Sequence, residues 1–443
     1  MTKARSDGLY LALLGTAVFL LLGIALESRS IHPNSDYRFV YNSARCLLQR
    51  VDPYKSSEFL RIFLADGGDM GSDVLRSQYL EMSQYMYSPT SFILTPLAML
   101  PWGPSLVLWT ILIAGSFILA AFLMWQLGAQ QAPLLSGILI GLMLSSSELL
   151  LVTGNPAGIV VSLCVVSVWC LVQERFAAAA VVCLAISLML KPHDAGLIWL
   201  YFLLAGGVYR RRALQALAVA TALSVPAILW VTHIAPGWLP ELRANLAILS
   251  SRGHLNDPGP ASLAGHGIAM IIDLQTVISF FRDDPSFYNS ISYLICGSLV
   301  LVWAVTTLRS RSTKSNTWFA IASISALSML PIYHRLCDAK LLLLTIPACA
   351  ILWAEGGLVC WLAPAVNFCA FLLTGELQWA IFFRLLKHLS LSSTWLSGNV
   401  LMALQIFPVP FILFVVGAFY LWVYVRRASD PEKGAKISVA LER

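Results

Sequence analysis

The chain has 443 residues, of which 58% are hydrophobic and only 12% are charged. Because soluble domains carry about 25% charged residues, this composition excludes an ordinary soluble enzyme, a disordered protein and a collagen-like fibre. The formal net charge of +6 comes from short, scattered basic groups, which indicates loops near anionic lipid rather than a surface for nucleic acid.

Twelve apolar runs follow one another along the chain, and they predict an all-α, polytopic membrane protein. A straight bilayer crossing needs about 20 mostly apolar residues, and several runs are somewhat shorter. The first run follows Lys3 and Arg5 and has no small-residue cleavage site at its end, so an uncleaved anchor is expected rather than a signal peptide. The runs cover residues 9–26, 105–127, 133–151, 156–172, 177–190, 194–208, 213–231, 290–308, 317–332, 340–355, 357–374 and 400–424.

The positions of Lys and Arg orient these spans. Cytoplasmic loops carry an excess of basic residues, and the basic groups at 175, 210–212 and 309–314 fit an orientation with both termini inside. The tail, residues 425–443, is then cytoplasmic. The long loops face outward and cover residues 27–104, 232–289 and 375–399.

Two further apolar stretches do not fit a full crossing. Residues 90–101 are too short, and residues 263–281 are interrupted by Gly265, Gly267 and Asp273. Both are expected to be re-entrant or interfacial segments on the outer side. The whole chain, 1–443, is therefore a single membrane domain, and it contains no P-loop and no Rossmann glycine pattern.

The nine cysteines indicate neither a zinc site nor a redox pair, because most lie in apolar runs and no CxxC pair occurs. Cys46 and Cys337 alone fall in polar stretches, and a disulfide between them stays an open but disfavoured alternative. The sequence shows no metal-ligand cluster. It therefore predicts no metal and no other cofactor.

The first outer loop begins with an amphipathic stretch that contains Asp36. Apolar residues recur at helical spacing between 37 and 48, with arginines on the opposite face. Asn34 or Ser35 can cap this helix, which puts Asp36 in the first turn, where the helix dipole stabilises the anion. The helix is expected to lie on the membrane surface with its arginines level with lipid phosphates. Asp36 is then either a favourable first-turn acid or a reactive carboxylate.

Polar residues interrupt later apolar runs at three places that the predicted topology puts on the same outer face as Asp36. Ionisable groups at membrane depth are costly, so each is a candidate functional residue. The structural alternatives are snorkelling for the lysines and arginine and interhelical hydrogen bonding for the histidines. The three places are Gly154-Asn155-Pro156, Lys191-Pro192-His193-Asp194, and the segment with Tyr333, His334, Arg335, Asp338 and Lys340.

The order of these motifs resembles glycosyltransferase family 87, the polyprenyl-phosphate-mannose-dependent mannosyltransferases of the GT-C superfamily. The resemblance covers most of residues 30–345. The family more often has Gly-Gln and Tyr-Pro-Pro where this chain has Gly154-Asn155 and Tyr87-Ser88-Pro89, which leaves the sugar and the acceptor open. The shared order is an acidic residue after the first span, Asp52-Pro53-Tyr54, Tyr87-Ser88-Pro89 before an apolar run, Gly154-Asn155 opening a span, Lys191-Pro192 ending one, and a late loop with His334.

The resemblance implies a GT-C fold with about 12 transmembrane helices and interfacial helices in the outer loops. It implies transfer of a sugar, mannose in the family, from a polyprenyl-phosphate donor to a lipid or glycan acceptor. The reaction would take place at the extracytoplasmic face of the inner (plasma) membrane, with membrane lipids as the other partners and no nucleic acid.

The same resemblance assigns roles to residues of this chain. By position Asp36 matches the family's catalytic aspartate, a general base for attack with inversion. The departing lipid phosphate needs cations and hydrogen-bond donors, and no metal is needed if fixed side chains supply them. Asn155 is a candidate for binding sugar or phosphate. The candidates for the phosphate are Lys191, His193, His334 and Arg335.

Two other functions stay open. A polysaccharide polymerase or O-antigen ligase also joins sugars on the outer face, but its large loop usually comes late, whereas the largest predicted loop here comes first. A transporter or lipid flippase would favour inverted repeats and charges in mid-span, and no internal repeat is visible in the sequence.

Overall fold

The computed structural model describes residues 2–30, 34–68, 87–262, 271–310, 313–375 and 408–429. Within these ranges the chain is built from helices, and the extended backbone pairs only at an isolated antiparallel bridge between Ile271 and Arg335. Two segments, Pro89–Leu94 and Asp338–Thr345, are 3₁₀ helices. The α-helices are α1 (Lys3–Glu27), α2 (Ser35–Leu48), α3 (Ser56–Ala65), Thr95–Ala98, Trp102–Gly128, Pro133–Ser145, Leu149–Thr153, Ala157–Val172, Ala177–Leu190, Pro192–Ala205, Gly207–Ile234, Trp238–Leu249, Leu274–Phe281, Pro285–Arg309, Lys314–Leu327, Ile346–Glu355, Leu358–Leu373 and Pro408–Ala428.

Six of the described helices are long and apolar enough to cross a membrane, which confirms the predicted all-α, multi-pass membrane protein. The other predicted spans are shorter helices, so a total of twelve crossings stays a prediction. The six are Lys3–Glu27, Trp102–Gly128, Gly207–Ile234, Pro285–Arg309, Pro408–Ala428 and Pro133–Thr153, the last of which joins Pro133–Ser145 and Leu149–Thr153 across a short break.

The stretches predicted not to cross are short in the structure. Residues 90–101 lie in the 3₁₀ helix Pro89–Leu94 and the four-residue helix Thr95–Ala98. Of residues 263–281, the first eight lie outside the described ranges, and Leu274–Phe281 is an eight-residue helix. Most of the loop 375–399, and the tail beyond residue 429, also lie outside the described residues.

Glycines bring α1 into close contact with the helix Pro133–Ser145. A Cβ atom added at Gly15 would lie 2.6 Å from the Cα and from the carbonyl oxygen of Gly141. Gly137 and Gly141 form a GxxxG pair, the spacing that allows two membrane helices to approach backbone to backbone. Packing between these helices therefore depends on the absence of side chains at the contact.

We expect the substitution Gly15→Leu to destabilise the protein by about 1–3 kcal/mol, because overpacking forces the two backbones apart. Gly115→Leu is the matched control, since nothing lies within 4 Å of a Cβ added at that helical glycine. Tryptophan fluorescence during heating in detergent measures the effect. Equal unfolding temperatures for the two variants would contradict the contact.

The helix α2 is largely buried among protein elements. The guanidinium of Arg38 lies 4.9 Å from the ring centroid of Phe63 and 5.0 Å from that of Trp102. Arg45 Nε lies 3.2 Å from a carboxylate oxygen of Asp66. Both arginines therefore have partners within the protein, and their level relative to lipid phosphates stays a prediction.

The predicted side-chain cap of α2 is also wrong. Asn34 occupies the N-cap position with φ of 56°, but its side chain makes no capping hydrogen bond. Its Nδ2 instead donates to Glu27 Oε1 at 2.6 Å, and its backbone N–H donates to the carbonyl of Val152 at 2.7 Å. Both contacts hold the start of α2 against other segments, and Asp36 lies in the first turn as predicted.

The centre of the fold contains the helix Lys314–Leu327 and the 3₁₀ helix Asp338–Thr345, whose side chains are almost all buried. Lys340 lies there fully buried. Its Nζ donates to the carbonyl oxygens of Ser146 at 2.8 Å and Thr374 at 3.0 Å. Lys340 therefore joins elements of the interior and does not snorkel.

All nine cysteines are free. Cys46 and Cys337, the two in polar stretches of the sequence, are both buried. The alternative of a disulfide between them is therefore wrong.

Candidate functional site

The first part of the candidate site joins Asp36 to the turn before the helix Ala157–Val172. Asn155 Nδ2 donates to Asp36 Oδ2 at 2.6 Å, and Asn155 Oδ1 accepts from the backbone N–H of Ala157 at 2.8 Å. One amide therefore satisfies a free N–H of the helix start and holds the carboxylate in one orientation. The turn itself requires glycine, because Gly154 has φ of +62°.

Aromatic side chains hold α2 against this turn. The rings of Tyr37 and Trp109 stack with centroids 4.5 Å apart. Trp109 Nε1 donates to the carbonyl oxygen of Gly154 at 2.8 Å. A Cβ atom at Gly154 would lie 2.8 Å from the Cβ of Tyr37. Gly154, which precedes Asn155, and Tyr37, which follows Asp36, are therefore held in direct contact.

The second part of the site centres on the ammonium group of Lys191, between the helices Ala177–Leu190 and Pro192–Ala205. Lys191 Nζ donates to Asp338 Oδ1 and lies 3.4 Å from Asp194 Oδ2. All three side chains are buried, and the two carboxylates are 1% and 2% exposed. The second oxygen of Asp338 accepts from the backbone N–H of Arg335 at 2.9 Å. The lysine thus links one helix junction to the loop that precedes the 3₁₀ helix.

Two imidazole rings lie on the other side of Asp194. His334 Nε2 is 3.2 Å and His193 Nε2 is 3.8 Å from Asp194 Oδ1. The two ring centroids are 4.9 Å apart in an edge-to-face arrangement. His334 Nδ1 lies 2.8 Å from the carbonyl oxygen of Ile332, and the carbonyl of His334 accepts from the N–H of Ile272 at 3.0 Å. These contacts fix the position of His334.

Arg335 follows in the same loop. Its Nε donates to the hydroxyl of Tyr333, and its Nη2 lies 3.3 Å from Asn256 Oδ1 and 3.4 Å from the carbonyl oxygen of Leu255. Within the described ranges these neutral oxygens, and no carboxylate, are its hydrogen-bond partners. In the described part of the chain, no carboxylate therefore pairs directly with the positive charge of this guanidinium.

Electrostatics connect the two parts. Burial raises the pKa of the Asp36 carboxyl above its ordinary value. The charges of Arg335 and Lys191 oppose this rise, together with hydrogen bonds from Asn155 and Thr153. A carboxylate with a raised pKa is a better proton acceptor than a solvated one, because its conjugate acid holds the proton more strongly.

The structure brings the predicted candidates into two linked groups. Asp36 and Asn155 touch directly, and Lys191, His193 and His334 meet at Asp194. Snorkelling of Lys191 is excluded because its ammonium is buried between carboxylates. Their assignment to catalysis and donor binding stays a prediction.

The sequence did not reveal how Lys191 is paired. As a candidate for the lipid phosphate, Lys191 is expected to have a free positive charge, but Asp194 and Asp338 each face its ammonium. The spacing of Lys191 and Asp194, three residues apart, was the one local signal for such a pair. Asp338 lies 147 residues further along the chain, so its contact with Lys191 has no local sequence signal.

The comparisons with known proteins add no relative to this description: no protein-family model, curated protein or solved structure matches the chain.

Proposed function

We propose that the protein is a membrane-embedded glycosyltransferase that moves a sugar from a polyprenyl-phosphate donor to a lipid or glycan acceptor. The proposed sugar is mannose, by the resemblance to family 87. The proposed site lies on the extracytoplasmic side of the inner membrane, as the distribution of basic residues predicts. A GT-C arrangement of about twelve spans is part of this proposal.

One observation carries the proposal: the partly buried carboxylate of Asp36, held by an amide, lies close enough to Lys191 and Arg335 for their positive charges to act on it. Asp36 is fixed by Asn155 at 2.6 Å, and the two cations come from segments far away in the sequence. A fixed base beside fixed cations suits a displacement in which one oxygen loses a proton and another gains negative charge.

The proposed reaction is a single displacement step in which Asp36 takes the proton and Arg335 faces the leaving phosphate. The acceptor hydroxyl oxygen forms a bond to the anomeric carbon while Asp36 takes the hydroxyl proton. The bond between the anomeric carbon and the phosphate oxygen breaks, and its electron pair leaves with the lipid phosphate. Attack opposite the leaving group inverts the anomeric centre. Arg335, which has neutral partners, stabilises the departing phosphate.

Membranes that contain the protein, supplied with radiolabelled polyprenyl-phosphate mannose, test the proposal. We expect the label to leave the donor and to appear in a larger lipid or glycan, with release of polyprenyl phosphate. Matched membranes without the protein are the control. The same assay is repeated with a panel of lipid-linked sugars as donors. If every donor stays intact in both samples, the transferase is rejected and a transporter is favoured.

The pH dependence of transfer reports on Asp36. The base works when deprotonated, so kcat/KM falls as the pH drops through its raised pKa. We expect Arg335→Gln to move this acid limb to higher pH, because loss of the nearby positive charge raises the pKa of Asp36 further. Arg252→Gln is the control, since that exposed arginine pairs with Asp283.

The position of the acid limb is the readout, because Arg335→Gln is also expected to lower the overall rate. An acid limb at the wild-type pH in Arg335→Gln would contradict the electrostatic link between the two residues.

A further inference from the structure

Three atoms that can bind a metal ion converge beside Lys191. His193 Nε2, His334 Nε2 and a carboxylate oxygen of Asp194 all lie within 4.8 Å of one another. All three atoms are buried, and one pair, His334 Nε2 and Asp194 Oδ1, lies 3.2 Å apart. Burying polar atoms in this way costs free energy unless a partner satisfies them. One proton can lie between two of these atoms, whereas a metal ion can bind all three.

The surroundings of His334 orient its ring as a ligand. A backbone carbonyl can only accept, so the 2.8 Å contact with Ile332 is donated by His334 Nδ1. In the neutral ring, the lone pair is then on Nε2, which faces Asp194. Metal-binding histidines commonly donate a hydrogen bond from the N–H of their other ring nitrogen to a carbonyl oxygen in this manner.

Lys191 orients the carboxylate of the same group. Its ammonium lies 3.4 Å from Oδ2 of Asp194, while Oδ1 is the oxygen nearest both histidines. The carboxylate therefore has one oxygen for the lysine and one for an ion. Because the lysine holds Oδ2, Oδ1 is presented in one direction.

We propose that His193, Asp194 and His334 bind a divalent transition-metal ion, with zinc as the best match. Two imidazoles and one carboxylate are typical of zinc sites that keep an open fourth position. Ligand bonds of about 2.0–2.2 Å place tetrahedral ligand atoms roughly 3.3–3.6 Å apart. The 3.2 Å separation is close to the lower end of this range, and rotation of the partly exposed His193 can close the 3.8 Å gap.

The charge balance gives the ion a role. Lys191, Asp194 and Asp338 together have a formal charge of −1, because two carboxylates face one ammonium, so these three residues alone do not attract an anionic ligand. A divalent cation changes this total to +1. His334 and Asp194 are fully buried, whereas His193 is 29% exposed, so the open position lies on the His193 side. An oxygen of the leaving phosphate would fit there; this use of the ion rests on the proposed function, whereas binding of the ion does not.

Metal analysis of the full-length protein, purified in detergent, tests the site. The protein is stripped with EDTA, equilibrated with Zn²⁺ alone, desalted and analysed by mass spectrometry of the elements. We expect about one zinc per chain. Asp194→Asn and His334→Ala should lower the occupancy at least about tenfold. If substitution of the buried Asp194 or His334 prevents folding, His193→Gln provides the same test, because His193 is partly exposed.

His233→Ala is the matched control, because this histidine is exposed at a helix end. Wild-type protein that retains less than about a tenth of an equivalent overturns the site. The site is also overturned if the three ligand variants keep zinc at the wild-type level. It is overturned as well if His233→Ala loses as much zinc as the ligand variants.

Transfer assays on the same samples separate the two proposals. Loss of transfer after EDTA, with recovery on adding Zn²⁺, supports the role at the leaving phosphate. Bound zinc in a protein that consumes no lipid-linked sugar rejects the transferase but keeps the metal site. Transfer that continues in protein free of zinc overturns the role of the ion and keeps the transferase.

Discussion

Replacing Asp36 by asparagine is expected to lower the transfer rate about 100- to 10,000-fold, the usual contribution of one general base. The amide has nearly the same shape as the carboxylate, and its oxygen can still accept from Asn155 Nδ2. It cannot take a proton from the acceptor hydroxyl. Rates measured with saturating donor and acceptor therefore report the loss of the base rather than a loss of binding.

Glu58→Gln is the matched control for this substitution. Glu58 is an acid of the same predicted outer loop, but its partly exposed side chain pairs with Arg61 at 3.0 Å, and we expect wild-type rates. Size-exclusion profiles and unfolding temperatures should be the same for both variants and the wild type. If Asp36→Asn keeps more than about a tenth of the rate, the base lies elsewhere.

The helical fold was largely predictable, because span length and hydropathy follow from local composition. The observed helices Trp102–Gly128 and Ala177–Leu190 lie within three residues of the predicted runs 105–127 and 177–190. The interruption at 146–148 was not predicted, and it divides one run into Pro133–Ser145 and Leu149–Thr153. Hydropathy averages over such short polar breaks, since the flanking residues remain apolar.

The grouping of candidate residues followed from topology, but their pairing did not. A common outer face brought Asp36, Asn155, Lys191 and His334 into the same hypothesis. Which atoms touch depends on the rotation of each helix and on side-chain rotamers, neither of which the sequence specifies. The three ligand candidates show this best. His193 and Asp194 are neighbours, but the third, His334, is 140 residues away, so no ligand spacing was recognisable.

The predicted cap of α2 failed for a related reason. Asn34 has the correct residue type for an N-cap, yet its amide donates to Glu27 at the end of α1. Capping preferences describe competition between a side chain and water at an isolated helix end. A tertiary partner at 2.6 Å changes the outcome, because its carboxylate accepts a charge-assisted hydrogen bond.

Replacing Lys191 by methionine is expected to cost about 3–5 kcal/mol of stability, the usual cost of breaking a buried ion pair by removing one partner. The substitution keeps most of the side-chain volume but leaves the carboxylates of Asp194 and Asp338, both almost fully buried, without their ammonium. Lys55→Met is the matched control, because that lysine is 57% exposed and lies 4.0 Å from Glu241. Exposed pairs contribute only about 0–1 kcal/mol.

A double substitution shows whether Lys191→Met loses stability because it leaves buried carboxylates unpaired. Lys191→Met combined with Asp338→Asn removes one negative charge together with the ammonium. We therefore expect the double variant to lose less stability than the two single variants do in sum. Unfolding temperatures in detergent, followed by tryptophan fluorescence, measure all four proteins of the cycle. If Lys191→Met unfolds at the wild-type temperature, the lysine contributes no net stabilisation to the two acids, and the ion pair at the centre of the candidate site is not a structural element.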